Sequence, residues 1–282
     1  MFQSVRHFLL AVQFFTRIPV TGRVANWVGF SPAMLRASAG HFPGVGVVVG
    51  VLVAGLTALL LAVLPPSPFA PLVAAVLGTV LSVLVTGGFH EDGLADVADG
   101  LGGSSDRDRA LVIMKDSRVG AFGALALVLA LLSKASLLAL IGSVSPRWMV
   151  LGIFAAHVVS RTWPLLLIRL MPHVGDAAGS KSKPLADQIS GGSLLAAGIW
   201  CFGALAFVYY TQAAMHLGAH PGLGGSDLLQ LPLAVALLAS GLAWVYVGRL
   251  LWRRLQGFTG DGLGATQQVC ELAFYLGLAV TL

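Results

Sequence analysis

Seven stretches of this chain are long and apolar enough to cross a lipid bilayer, and that leaves few folds open. A transmembrane helix needs about 20 consecutive, mostly apolar residues, because the hydrocarbon core is about 30 Å thick. Such stretches run over residues 42–64, 69–89, 119–142, 148–170, 193–214, 231–251 and 265–282. Within hydrocarbon a lone segment must satisfy its own backbone hydrogen bonds, so these runs read as α-helices. The expected fold class is all-α: a polytopic membrane helix bundle of about seven transmembrane helices. All 282 residues form one integral membrane domain, with residues 1–36 as a cytoplasmic or interfacial segment and 42–282 as the bundle.

Composition supports that reading. Only 10% of the residues are charged and 57% are apolar, with a mean hydropathy of +0.87. Soluble domains carry about 25% charged residues, so an ordinary water-soluble globule, a disordered chain and a nucleic-acid binder are all excluded. Cys201 and Cys270 lie inside apolar runs, which argues against a disulfide framework. Gly44, Gly46, Gly50 and Gly55 predict close helix packing along the first span.

No cleavable signal is expected in the first twenty residues. Arg6, His7, Gln13, Thr16 and Arg17 are interspersed with Phe8, Leu9, Val12, Phe15 and Pro19 at helical spacing. The expectation is an N-terminal amphipathic helix lying on the lipid bilayer.

The net charge of +5 is mostly an orientation signal. Arg6, Arg17, Arg23 and Arg36 precede the first span, and Arg107, Arg109, Lys115 and Arg118 follow the second. Arg169, Lys181 and Lys183 follow the fourth, and Arg249, Arg253 and Arg254 follow the sixth. Arg147 alone falls on the opposite side. By the positive-inside rule the N-terminus and these connectors face the cytoplasm.

The acidic residues cluster on that same side. Glu91, Asp92, Asp96, Asp99, Asp106, Asp108 and Asp116 lie within one short stretch that begins TGGFHEDGLADVADGLGG. On a helix, Asp92, Asp96 and Asp99 at i, i+4 and i+7 share a face. Like charges that close repel, and a hard divalent cation such as Mg²⁺ neutralises them, binding through a few carboxylates together with water and substrate phosphates. The competing reading is a solvated acidic loop that balances Arg107, Arg109, Lys115 and Arg118. It accounts for the charge but not for the regular spacing.

Further candidates face the same compartment. Lys115 and Arg118 suit phosphate oxygens, and Asp261 sits between glycines as a candidate fourth metal ligand. His90 directly precedes the array and is the candidate general base, with an interfacial helix-end histidine as the alternative. Glu271 falls inside the last span and should face the bundle, with Lys134 or Arg161 as partner. The connector 171–192, with Gly179, Ser180, Lys181 and Lys183, is read either as a cover for a phosphorylated substrate or as a linker.

A metal-carboxylate array at a membrane face suits phosphoryl or nucleotidyl transfer. The D-G-x-x-A-R pattern of CDP-alcohol phosphotransferases is absent, as is the second Asp-rich motif of membrane prenyltransferases. A transporter would place its polar residues near the midplane. The stretch HEDGLADVADG (His90–Gly100) instead resembles the H-x-D-G-L-A-D-x-x-D-G signature of the cobalamin synthase family, adenosylcobinamide-GDP ribazoletransferases. FFTRIPV (Phe14–Val20), HFPGVGVVVG (His41–Gly50), IMKDSRVGAFG (Ile113–Gly123) and TGDGLGA (Thr259–Ala265) match the same family in order. Glu91 occupies an open position of the signature.

That resemblance implies an activity: α-ribazole or its 5′-phosphate is transferred onto adenosylcobinamide-GDP, releasing GMP. It implies Mg²⁺ at Asp92, Asp96, Asp99 and Asp261, catalysis by Asp92, Asp96 and Asp99 with His90, and substrate binding by Arg17, Lys115, Arg118 and Asp261. The implied partners are the two small-molecule substrates and the bilayer, with self-association left open and no nucleic acid. The implied location is the cytoplasmic (inner) membrane with the site facing the cytoplasm.

Overall fold

The computed structural model of the protein describes residues 2–175, 189–219 and 226–282. Three short N-terminal helices come first: α1 (Phe2–Phe15), α2 (Gly22–Val28) and α3 (Pro32–Ser38). A 3₁₀ turn at Ala39–His41 joins α3 to α4 (Phe42–Val63), followed by α5 (Ala70–Thr86) and α6 (Phe89–Gly103). Next are α7 (Arg107–Ile113), α8 (Ala121–Val144) and α9 (Pro146–Leu170). The last three are α10 (Gly191–Ala219), α11 (Ser226–Leu255) and α12 (Gly260–Ala279). Among the described residues the only β-type pairing is a single bridge between His173 and Phe258, which ties the end of α9 to the start of α12.

Among the described residues, five helical stretches are long and apolar enough to span a membrane: Pro32–Val63, Ala121–Val144, Pro146–Leu170, Gly191–Ala214 and Leu231–Leu255. The α5–α6 pair brings the number to six if counted together, but it is bent by 90°. Among the described residues, length and composition thus mark five or six helices, beside the about seven expected.

Two physical causes account for the difference. The segment 69–89 stops being a straight helix at Gly87 and Gly88, both at φ 71°. Only glycine adopts that left-handed backbone without a side-chain penalty. The bend turns α6 by 90° from the direction of α5. At the C-terminus, α12 carries Gln267, Gln268 and Glu271, all buried. It is wrapped by α6, α8, α9 and α11, and a helix enclosed by protein need not be apolar all round.

Close helix contact along the first span follows the glycines, as expected, with one exception. A Cβ at Gly46 would overlap the His157 carbonyl of α9, and one at Gly50 would lie 3.1 Å from the Phe154 carbonyl oxygen. A Cβ at Gly55 would meet nothing within 4 Å. Helix α1 buries Leu10, Ala11, Val12 and Phe15 and leaves Phe2 and Val5 exposed. It packs on α2, α3 and α4, which agrees with an amphipathic helix.

Inside the bundle, α12 anchors a buried polar network. Lys134 Nζ of α8 lies 2.6 Å from Glu271 Oε1, with both side chains almost fully buried. Tyr275 donates to Glu271 Oε1 at 3.0 Å, and Gln267 donates to Glu271 Oε2 at 2.8 Å and to Ser160 Oγ at 2.9 Å. Arg161 of α9 donates to His157 Nδ1 at 3.0 Å. Of the two partners expected for Glu271, Lys134 makes the direct ion pair.

Candidate active site

The bend at Gly87–Gly88 opens a cleft of about 960 Å³. Its walls include Gln13 and Arg17, from α1 and the turn after it, and Thr86, Gly87 and Gly88 at the bend. Glu91, Asp92 and Ala95 of α6, Val119 and Leu127 around the start of α8, and Gly260 and Asp261 of α12 complete it. Segments far apart in sequence thus converge where the sequence placed its acidic array.

Helix α6 meets α12 through glycine. A Cβ at Gly93 would sit 2.7 Å from the Asp261 carbonyl oxygen. One at Gly264 would sit 3.4 Å from His90 Cα and 3.5 Å from Gly93 Cα. This contact brings Asp261 to the array. Burial, together with the charges of Asp261, Asp92 and Asp99, raises the Asp96 carboxyl to about 7. Burial and Asp92 raise Asp261 to about 6. Two carboxylates whose charge their acidic neighbours destabilise, with no soft ligand beside them, suit a hard cation. Yet among the described residues no group of three or more His, Cys, Asp or Glu is already arranged to hold a metal ion. The expected set of Asp92, Asp96, Asp99 and Asp261 is therefore not a finished coordination sphere.

The three signature aspartates divide along α6. Asp92 is exposed at the cleft, and Asp96 is half-buried one turn on. Asp99 is buried, and its oxygens accept hydrogen bonds from Gly120 N at 2.7 Å and Gly123 N at 2.8 Å.

His90 also departs from expectation. It is buried, stacked on Phe42 with ring centroids 5.7 Å apart, and lines a small apolar cavity with Phe14, Phe15 and Pro164. Positions 90 and 92 differ by about 200° around a helix, so His90 faces the bundle while Asp92 faces the cleft. The general-base reading of His90 gains no support from this placement, since His90 does not line the cleft.

The basic candidates separate as well. Arg17 lines the cleft, and its side chain passes so close to Gly87 that a Cβ there would overlap it. Arg118 is exposed and pairs with Asp116, whose carboxyl it holds low, at about 2. Lys115 is exposed in the same connector, and Val119 is the part of that connector that enters the cleft wall. Lys181 and Lys183 lie outside the described residues. Arg107 and Arg254, counted above only as orientation signals, tie α6 and α7 to α11. Arg107 Nε donates to Leu255 O at 2.7 Å, and Arg254 donates to Leu101 O at 3.0 Å.

Two residues of the site lie outside the set expected from the sequence, Glu91 at an open signature position and Gln268, not singled out there. Glu91 lines the cleft, and its Oε1 accepts from Gln268 of α12 at 3.0 Å. Gln268 also donates to Gln267 Oε1 at 3.0 Å, which joins the cleft to the buried network around Glu271. The signal was two adjacent amides, Gln267 and Gln268, inside an apolar segment.

An acidic cleft within a bundle of membrane-length helices, with Arg17 in its wall, fits a polytopic helical membrane enzyme. Comparison with known proteins supplies the particular family. The family model described as Cobalamin-5-phosphate synthase matches residues 7–279, and the chain belongs to that family. A relative from Albidiferax ferrireducens is 71% identical over the whole of both chains. One from Polaromonas sp. is 62% identical over 99% of this chain and 98% of its own. One from Leptothrix cholodnii is 44% identical over 97% and 95%. All three are named adenosylcobinamide-GDP ribazoletransferase. No solved structure matches the chain.

Proposed function

We propose that the protein transfers α-ribazole, or its 5′-phosphate, onto adenosylcobinamide-GDP and releases GMP, using Mg²⁺ held by Asp92, Asp96 and Asp261. The observation that carries this reading is the gathering of Asp92 and Asp96 of α6 with Asp261 of α12 at one large cleft, whose wall holds Asp92, Asp261 and Arg17, with Asp96 and Asp261 charge-strained by their neighbours. Carboxylates in that state gain from a cation, and a diphosphate brings one with it.

In the transfer, a ribose hydroxyl oxygen forms a bond to the cobinamide-side phosphorus as the bond from that phosphorus to the GMP oxygen breaks. The GMP leaves with the bonding pair, and the hydroxyl proton is released. When bound, the ion neutralises the diphosphate and the charge on the departing phosphate. The chain's own residues orient the partners. Arg17 grips phosphate oxygens from across the cleft. The Gly87–Gly88 bend lets backbone approach the substrate, and Glu91, held by Gln268, borders the same space.

The same reading puts the cleft on the cytoplasmic side of the inner membrane. Arg107 and Arg254 meet at the α6–α7 end of the bundle, and basic connectors stay inside. The relatives' shared name supports the substrate pair. The test is turnover by Asp92→Asn and Asp96→Asn with saturating Mg²⁺. A loss of about a hundredfold or more in each agrees with removal of a principal electrostatic group. Wild-type turnover in both variants rejects the carboxylate site.

A further inference from the structure

The signature of this chain holds three evenly spaced aspartates, but the fold gives the third a different employment. We propose that Asp99 is a positioning residue and not a metal ligand: its carboxylate holds the first turn of α8 against α6. In doing so it fixes the cleft wall formed by Val119 and Leu127. The claim about that wall rests on the transferase reading above; the clamp itself does not.

Four observations converge on the clamp. Asp99 is 9% exposed, and each of its oxygens takes a backbone N–H, Gly120 N on Oδ2 at 2.7 Å and Gly123 N on Oδ1 at 2.8 Å. The first N–H groups of a helix have no partner within the helix and carry the positive end of its dipole. For the 24-residue α8, a carboxylate 21 residues earlier in the chain serves them. A Cβ at either Gly120 or Gly123 would overlap the Asp99 carboxylate, so both glycines are small because Asp99 is there.

The surroundings repeat the pattern. A Cβ at Gly102 would lie 2.6 Å from the Phe122 ring of α8, and one at Gly100 would lie 2.9 Å from the Ala110 carbonyl oxygen of α7. The C-terminal half of α6, from Asp99 on, is thus a docking face for α7 and α8, while its N-terminal half borders the cleft. Val119, one residue before the clamped Gly120, is where docking reaches the substrate space.

Three variants in detergent-solubilised full-length protein test this. Asp99→Asn offers one acceptor oxygen in place of two. Gly120→Ala leaves every carboxylate intact but sets a methyl group against the clamp. Asp92→Asn is the metal-site comparison. Hydrogen exchange across residues 119–125 should quicken roughly tenfold or more in Asp99→Asn and in Gly120→Ala, because the hydrogen bonds lost are to a charged group.

Both variants should raise the KM for adenosylcobinamide-GDP about fivefold or more through the misplaced wall. Gly120→Ala should leave the Mg²⁺ concentration for half-maximal rate near the wild-type value, and Asp99→Asn, which removes only a nearby charge, should shift it far less than Asp92→Asn does. The inference is overturned if Asp99→Asn shifts the Mg²⁺ requirement as Asp92→Asn does, or if exchange at residues 119–125 is unchanged in Gly120→Ala. Should Asp99→Asn fail to fold, Gly120→Ala decides. Exchange is read without any reaction, so a wild-type protein that makes no product would sink the transferase reading and leave the clamp to the exchange result.

Discussion

Replacing Gly93 with alanine strikes the contact that assembles the site. The added Cβ would lie 2.7 Å from the Asp261 carbonyl oxygen, 3.1 Å from its Cα and 3.3 Å from its carbonyl carbon. All three partners are backbone, so none can swing aside. Ordinary contact begins near 3.4 Å, so α6 and α12 must part locally by about 0.7 Å, the difference between 3.4 and 2.7. Overpacking of this kind costs about 1–3 kcal/mol. Displacement of reacting groups by about 1 Å is enough for a loss of about a hundredfold in rate. The expected result is a protein that still folds, with thermal stability modestly lowered and turnover down by about ten- to a hundredfold. Gly55→Ala, at a helical glycine whose Cβ would meet nothing within 4 Å, serves as the control and should keep full activity. Thermal unfolding in detergent and steady-state rates check both. Wild-type turnover in Gly93→Ala would refute the claim that this contact sets Asp261 against Asp92 and Asp96.

Three further outcomes follow from the same geometry. Because Asp96 is raised to about 7, protons compete with the ion below that pH, and the Mg²⁺ needed for half-maximal rate should climb steadily from about pH 8 to about pH 6. The sign for the metal-free protein is the opposite of the usual carboxylate case: native Asp96 keeps a proton that the unfolded chain, at 3.8, has released, so stability should fall as pH rises from about 4 to about 7. Glu271→Gln leaves Lys134 and Arg161 buried without their carboxylate and should cost about 3–5 kcal/mol in unfolding measurements. Adding Lys134→Met to that variant should recover part of the loss. Arg17→Ala should raise the KM for adenosylcobinamide-GDP more than Arg118→Ala does, because Arg17 lines the cleft while Arg118 is spent on exposed Asp116; equal effects would move the phosphate grip to the rim.

Much of this was legible in the chain because membranes simplify reading. Length and apolarity alone mark α4, α8, α9, α10 and α11, since lipid accepts little else. The same rule misreads α12, whose neighbours supply the partners for Glu271 and Gln267 that lipid would not. It also overlooks the bend after α5, where Gly87 and Gly88 look in sequence like two more small residues of a span. Within the site, the i, i+4 and i+7 spacing correctly puts three aspartates on one face. Spacing says nothing of what that face meets, so Asp99, tucked under α8, looked the same as Asp92 in the open. His90 was assigned by adjacency to Asp92, although two residues along a helix point to opposite sides. Glu91 occupies an open position of the signature, and spacing could not show its anchor, Gln268, 177 residues away.

The central claim, that this cleft carries out a metal-dependent transfer between two nucleotide-bearing substrates, is tested most directly by reconstitution. Purified protein is incubated with adenosylcobinamide-GDP and α-ribazole 5′-phosphate, with Mg²⁺ or with EDTA, and GMP and adenosylcobalamin phosphate are followed by mass. The account predicts equimolar GMP and adenosylcobalamin phosphate with Mg²⁺ and neither with EDTA. Undiminished product in EDTA, or GMP released without any cobalamin phosphate, would contradict it.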